Sequence, residues 1–278
     1  MATIIDGRKI RKEILEKVKE EISSLPFQPV FSDVLVGNDP ASAQYVKMKA
    51  KTAESLGIKF HNVHFPETIS TEDLISEIKK LNNFENMCGL IIQLPLPPKF
   101  NKQLILDAVS PLIDVDCLGT ETSNLFYSNK SLLGFPTAIA CVKILDSLNL
   151  DISKKKIAVL GQGALVGKPV THILRTRGLH VDTINRKTEN KETFIKNADV
   201  IISGIGHGKF ITSDMIKKGA IIIDAGTSES TGSIVGDVDL ESVKNVASFV
   251  SPVPGGVGPV TVAILLQNIL TVAKNKIK

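Results

Sequence analysis

The sequence predicts an α/β protein of two lobes with an active-site cleft between them, and three observations predict it. The chain has 278 residues, nearly twice the ~150-residue prior for one domain. Short apolar runs alternate with segments of helical periodicity, the βαβα pattern of parallel sheets covered on both faces. A glycine turn, Gly161-Gln162-Gly163, stands where a buried strand ends and a helix begins. That context marks a Rossmann-type, doubly wound nucleotide-binding sheet. Residues 1–117 are expected to form an N-terminal catalytic lobe, completed by a C-terminal helix over 259–278, and residues 118–258 the nucleotide-binding lobe.

Taken in order, Ile10, Ile14, Leu15, Val18 and Ile22 share one face of an amphipathic first helix. Pro29 to Val36 reads as a buried strand, ended by the turn residues Gly37-Asn38-Asp39-Pro40. A helix over Ser42 to Leu56 stops at Gly57. A strand over Lys59 to Phe65 precedes a helix over Thr71 to Leu81, opened by the capping pattern Ser70-Thr71-Glu72-Asp73. Cys88 to Leu94 is an apolar strand apart from Gln93. Asp114 to Pro136 is loop-rich, and Thr137 to Leu148 is helical. Lys156 to Leu160 is the strand before the glycine turn, and the helix beyond runs to Arg177. Strands at His180 to Ile184, Val200 to Ser203 and Ala220 to Asp224 alternate with helices. The string Pro252-Val253-Pro254-Gly255-Gly256-Val257-Gly258-Pro259 precedes the final helix.

Composition narrows the function. At 43% hydrophobic and 22% charged residues the chain is globular, not disordered. Its net charge of +4 is too small and dispersed for nucleic acid, although it suits an anionic small ligand. Aromatics are 5%, with no Trp, so base-stacking platforms are not expected. Cys88, Cys117 and Cys141 form no disulfide framework and read as reduced, buried thiols. His61-x-x-His64 lies on a strand-like stretch, and no metal is expected there. The charged N-terminus lacks the apolar core of a signal peptide, and the apolar stretch Val260 to Ala273 is short for a bilayer. These features lead to the expectation of a cytoplasmic protein without a membrane partner.

Gly161 and Gly163 would let backbone N–H groups approach a pyrophosphate at a helix N-terminus. Gly167 comes one position later than in the commonest spacing, and a purely structural turn is the alternative. The next strand ends Ile184-Asn185-Arg186-Lys187, with cations where NAD enzymes place a carboxylate. A guanidinium suits a 2′-phosphate, so NADP is favoured over NAD. Tyr45 and Lys49 are neighbours on one helix face. Gln93 stands at the carboxyl end of a strand, where parallel sheets bind ligands. Asp114-Val115-Asp116 offers two loop carboxylates, for which turn stabilisation is the ordinary role.

Several segments together resemble the bifunctional methylenetetrahydrofolate dehydrogenase/methenyltetrahydrofolate cyclohydrolase family. They are Val36 to Ser42 with Tyr45 and Lys49, Gln93-Leu94-Pro95-Leu96, Asp114-Val115-Asp116, and the proline–glycine string from Pro252 to Pro259. The resemblance covers nearly the whole chain in the same order. It implies oxidation of 5,10-methylenetetrahydrofolate with NADP, then hydrolysis of the methenyl product to 10-formyltetrahydrofolate, without a metal. By the same resemblance Lys49 is the catalytic lysine and Gln93 the glutamine that tunes it. Asp116, ionised, holds the pterin, and Tyr45 packs on the folate ring system. Pro254, Gly255 and Gly258 belong to a substrate-contacting loop. Gly161, Gln162 and Gly163 form the cofactor turn, and Thr227 meets the nicotinamide end. A homodimer through the nucleotide-binding lobe is implied as well.

The chain also departs from the family pattern. Gln162-Gly163 replaces the usual Arg-Ser, and Asn185-Arg186 the usual His-Ser, which reads as positive charge relocated to Arg186. Phe135-Pro136-Thr137-Ala138 stands for Pro-Cys-Thr-Pro, and Cys117 for the glycine after the second loop aspartate. Three alternatives stay open: a dehydrogenase with weak or no cyclohydrolase activity, a non-catalytic NADP- or folate-binding regulatory module, and a two-lobed dehydrogenase of the shikimate type.

Overall fold

The computed structural model describes residues 1–230 and 233–277. Along the first half run β1 (Thr3–Ile4), α1 (Gly7–Ser23), β2 (Val30–Val36), α2 (Pro40–Ser55), β3 (Lys59–Phe65), α3 (Thr71–Asn82), β4 (Met87–Ile92), α4 (Lys102–Leu106) and α5 (Thr120–Tyr127). Next come α6 (Pro136–Asp146), β5 (Ile157–Leu160), α7 (Gly167–Thr176), β6 (Val181–Ile184), α8 (Lys191–Asn197) and β7 (Val200–Ser203). The chain closes with β8 (Ile221–Asp224), the hairpin β9 (Ser228–Ser230) and β10 (Ser233–Val235), α9 (Leu240–Val243), β11 (Phe249–Val250) and α10 (Val257–Asn275). Contacts divide it into two compact units, one of 1–12 with 135–264 and one of 13–134 with 265–278.

The second of these units carries a parallel sheet in the order β3-β2-β4. All seven residues of β2 are buried, including the polar Ser32 and Asp33. Ser32 satisfies its hydroxyl by donating to His61 O at 2.8 Å. Asp39 opens α2 by accepting the Ser42 N–H at 2.7 Å, with Pro40 in the first turn, where its missing donor costs nothing. Gly57 follows the helix at φ +89°, a conformation that favours glycine. Ser70 caps α3 on the Asp73 N–H at 3.0 Å; the Asp73 carboxylate accepts the Ser70 hydroxyl, so the capping box closes side chain to side chain. The chain leaves β2 for β3 on one side and returns to pair β4 on the other. That reversal opens a crevice at the carboxyl ends of β2 and β4.

The first unit holds six parallel strands in the order β1-β11-β8-β7-β5-β6. Its core layer joins Ala158, Leu160, Ile184, Ile201 and Ile222 to Ile195, Ile211 and Val243. Here the order reverses at β5, flanked by β6 and β7, which sets a second crevice beside the glycine turn.

Hydrogen bonding accounts for how residues 1–12 and 118–134 are grouped by contacts. Residues 1–12 join the six-stranded unit because β1 pairs with β11, Thr3 opposite Phe249 and Ile4 opposite Val250. Residues 118–134 join the three-stranded unit, where Asp114 accepts the Gly119 N–H at 2.8 Å and Asp107 the Thr120 N–H at 2.7 Å. Asn268 of α10 ties Val115 O and Gly134 O together, both at 2.8 Å. From Leu265 onward the final helix groups with that unit. By length and composition α10 could cross a bilayer, but 67% of its apolar window is buried inside the protein, as in a core helix.

Candidate active site

The crevice between β2 and β4 receives one long side chain from α2. Lys49 is 3% exposed, and its Nζ donates to Gln93 Oε1 at 2.8 Å. Gln93 continues β4: its backbone N–H donates to Val34 O at 2.9 Å, and its Nε2 donates to Leu94 O at 2.5 Å. The amide is thereby oriented with its oxygen toward the lysine. On the other side Nζ lies 2.5 Å from Asp33 Oδ2, and Asp33 is completely buried in the middle of β2. Burial pushes the Asp33 carboxyl up, while the charge and hydrogen bond of Lys49 pull it down. An ion pair this deep is costly to desolvate and strongly destabilising to break by removing one partner.

Tyr45, one turn earlier on α2, places its ring 4.9 Å from Lys49 Nζ. It keeps 37% of its surface exposed, yet the protein around it pushes the phenol up to about 12, by burial first and then by the charges of Asp116 and Asp33. The 113–116 segment runs beside β4, with the Leu90 N–H donating to Ile113 O at 2.9 Å. The two loop aspartates therefore divide their work. Asp114 faces its own loop and accepts the Gly119 N–H. Asp116 faces Lys49; burial and the charges of Asp114 and Asp33 raise its carboxyl to about 7 against the opposing pull of Lys49. It is therefore poised between its two protonation states near neutrality, rather than fully ionised. His61 stacks on Phe84 at 4.5 Å, and His64 Nε2 lies 2.7 Å from Gly37 O, so the two rings turn to separate partners. Among the described residues no group of three or more His, Cys, Asp or Glu side chains is arranged for a metal ion.

Gly161, Gln162, Gly163, Arg186, Thr227, Pro254, Gly255 and Gly258 all belong to the six-stranded unit. Gly161 sits at φ +85°, and a Cβ there would come 2.7 Å from Gly204 O, across the strand-order reversal. Nothing lies within 4 Å of where a Cβ on Gly163 would point. That side of the turn, leading into α7, faces open space and fits a pyrophosphate. Gln162 folds back, its Nε2 donating to Gly161 O at 2.8 Å. Arg186 is exposed just beyond β6, in a turn where Asn185 Oδ1 accepts the Lys187 N–H at 2.8 Å. Arg186 and Lys187 place two cations in that turn, which suit the 2′-phosphate of NADP. Thr227 is exposed beyond β8. Gly255, at φ +110°, accepts the Gly7 N–H at 3.0 Å, which anchors the proline–glycine loop to the start of α1.

Two aspartates that sequence reasoning passed over hold these loops. Asp224 accepts N–H groups of Gly226, Asp237 and Val238 at 2.9, 3.1 and 2.9 Å. Asp237 accepts the Ser203 hydroxyl at 2.7 Å and the Ile205 and His207 N–H groups at 2.8 Å. Burial and the neighbouring Asp237 charge raise Asp224 to about 7, opposed by its backbone donors. Asp33 was missed as well, although a lone carboxylate inside an apolar strand was its visible signal.

A Rossmann-type nucleotide-binding unit, joined in one chain to an α/β unit with a buried lysine at its sheet's crevice, defines a two-domain nucleotide-dependent enzyme class. The family model for the catalytic domain of tetrahydrofolate dehydrogenase/cyclohydrolase matches residues 5–116, and the model for its NAD(P)-binding domain residues 136–277. The chain belongs to the tetrahydrofolate dehydrogenase/cyclohydrolase family. It is 35% identical to the bifunctional protein FolD of Staphylococcus aureus (strain JH9), over 99% of this chain and 97% of the other. The crystal structure of the bifunctional enzyme FolD from Campylobacter jejuni matches with a TM-score of 0.94 and 34% identity, covering 99% of this chain and 100% of that one. The Trypanosoma brucei FolD, solved with NADP cofactor and inhibitor, matches at 0.94 and 31% identity, over 100% and 99%.

Proposed function

We propose that this chain oxidises 5,10-methylenetetrahydrofolate to the methenyl cation with NADP and then hydrolyses that cation to 10-formyltetrahydrofolate. The observation that carries the reading is the buried Lys49–Gln93 contact at the crevice of β2 and β4 in a chain of this family. NADP, when bound, supplies the hydride acceptor. The protein's share of that step is alignment: Tyr45 packs on the folate ring system, and Asp116 accepts the 2-amino and ring N–H donors of the pterin, a bidentate match. Pro254, Gly255 and Gly258 contact the substrate. Gly161 and Gly163, with Gln162 folded out of the way, admit the pyrophosphate; Arg186 meets the 2′-phosphate and Thr227 the nicotinamide end.

Hydrolysis adds water to the methenyl carbon, and its proton passes to Lys49, which Gln93 holds without adding charge. The active form is a homodimer through the six-stranded unit, in a reducing compartment such as the cytoplasm that keeps the buried thiols of Cys88, Cys117 and Cys141 free. Light scattering at micromolar concentration should give twice the 30.0 kDa chain mass. One spectrophotometric assay tests the chemistry: methylenetetrahydrofolate with NADP or NAD for the first step, and decay of methenyltetrahydrofolate alone for the second. Reduction of NADP without methenyl hydrolysis would reduce the protein to a dehydrogenase. The absence of both signals would overturn the reading.

A further inference from the structure

Lys49 has a partner in the middle of β2 for which the reactions above assign no role. Asp33 Oδ2 lies 2.5 Å from Nζ, and Asp33 is fully buried. Its Oδ1 has no hydrogen-bond partner among the described residues, so Lys49 is the group it serves. The strand offers no reason of its own for a carboxylate there, since Phe31, Val34, Leu35 and Val36 around it are core residues. Among the described residues, the remaining charged or titratable groups around Nζ are Asp116, backed by Asp114, and Tyr45 on α2 itself. β4 contributes the neutral Gln93, and β3 sets the neutral Asn62 opposite Asp33 in register. The histidines of β3 are engaged with Phe84 and Gly37.

We infer that Asp33 is a positioning residue for Lys49 that also holds one proton for it during water addition. This rests on the cyclohydrolase reading above. Across the Nζ to Oδ2 contact the ammonium passes a proton to the carboxylate, leaving a free amine beside the reacting carbon. As the water oxygen bonds that carbon, its O–H bond breaks and the proton goes to Nζ. When the adduct collapses, the C–N5 bond breaks and N5 takes the adduct's hydroxyl proton. The pair then releases one proton to solvent, which balances a cation plus water giving a neutral formyl product.

The experiment uses the full-length protein with Asp33→Asn, which preserves shape, and Asp33→Val as a second variant should the first not fold. Two titrations are read against wild type: the acid limb of methenyltetrahydrofolate hydrolysis, and the ¹³Cε signal of Lys49 in lysine-labelled protein, assigned with Lys49→Met. Without the carboxylate both midpoints should move to lower pH by about one unit or more, because the buried ammonium has lost its counter-charge. The hydrolysis plateau should fall about tenfold, while KM for the folate stays within about twofold. A smaller displacement of the Lys49 titration overturns the inference, as does an unmoved limb with both activities reduced equally, the mark of a merely structural residue. A wild-type chain without hydrolase activity would instead overturn the functional reading, and the NMR titration still decides the Asp33–Lys49 pairing.

Discussion

A Cβ on Gly167 would fall inside the carbonyl group of Gly161, so the first turn of α7 rests directly on the strand-end turn that precedes it. Gly163, between them, meets nothing within 4 Å. These two glycines should therefore fail differently. Gly167→Ala must displace backbone, which costs about 1–3 kcal/mol, or a melting temperature lowered by roughly 2–4 °C for each kcal/mol. Gly163→Ala should melt like wild type but bind NADP at least about tenfold more weakly, because its methyl occupies the pyrophosphate's approach. Calorimetry alongside NADP titration separates the two, and equal melting losses would contradict the assignment.

Discrimination for NADP should rest on Arg186, since Gln162 carries no charge and turns back onto Gly161 O. A charge-assisted contact is worth about 1.5–3 kcal/mol, so Arg186→Ala should lose about ten- to a hundredfold in kcat/KM with NADP while NAD turnover changes little. Arg186→Asp should go further by repelling the phosphate and offering the ribose an acceptor. An unchanged cofactor ratio would make this a solvated basic turn.

Because the Asp116 carboxyl is raised to about 7, folate recognition should depend on pH. The ionised form accepts both pterin donors; the protonated form has lost an acceptor and gained a competing donor. KM for the folate should accordingly be flat on the alkaline side and rise as pH falls through 7, approaching about tenfold per unit. Asp116→Asn should flatten that dependence at a KM raised about tenfold or more. Initial rates from pH 5.5 to 9 in both proteins check it.

Replacing Lys49 by Met keeps the buried stem and removes the amine. Hydrolysis of methenyltetrahydrofolate should fall by at least about a hundredfold, the usual effect of losing an acid–base group. Near wild-type hydrolysis would remove Lys49 from the proposed mechanism. The variant also leaves Asp33 without its counter-ion, so urea unfolding should show a lower midpoint that recovers in Lys49→Met with Asp33→Asn.

Local chemistry was legible from the residues alone wherever a signal is short in range. Alternating apolar runs mark β2, β3, β4, β5 and β7, because a buried parallel strand leaves little place for charge. Ser70 before α3, Gly57 after α2 and the turn from Gly161 to Gly163 are readable because each solves a conformational problem within a few residues. Tyr45 and Lys49 share a helix face by spacing, and Gln93 stands out as the polar residue where an apolar run stops.

Long-range pairing decided the rest. Thr3 and Ile4 extend a sheet only because Phe249 and Val250 lie beside them, which moves residues 1–12 into the six-stranded unit. Gly134 is held to the other unit by Asn268, 134 positions away. Asp114 and Asp116 are alike in sequence; the strand bridge at Leu90 turns one to its own loop and the other toward Lys49. The Asp33–Lys49 pair depends on α2 crossing back over β2, so the fifteen intervening positions carry no trace of it. Periodicity reports which face of an element is buried, whereas the partner across that face is chosen by packing between elements.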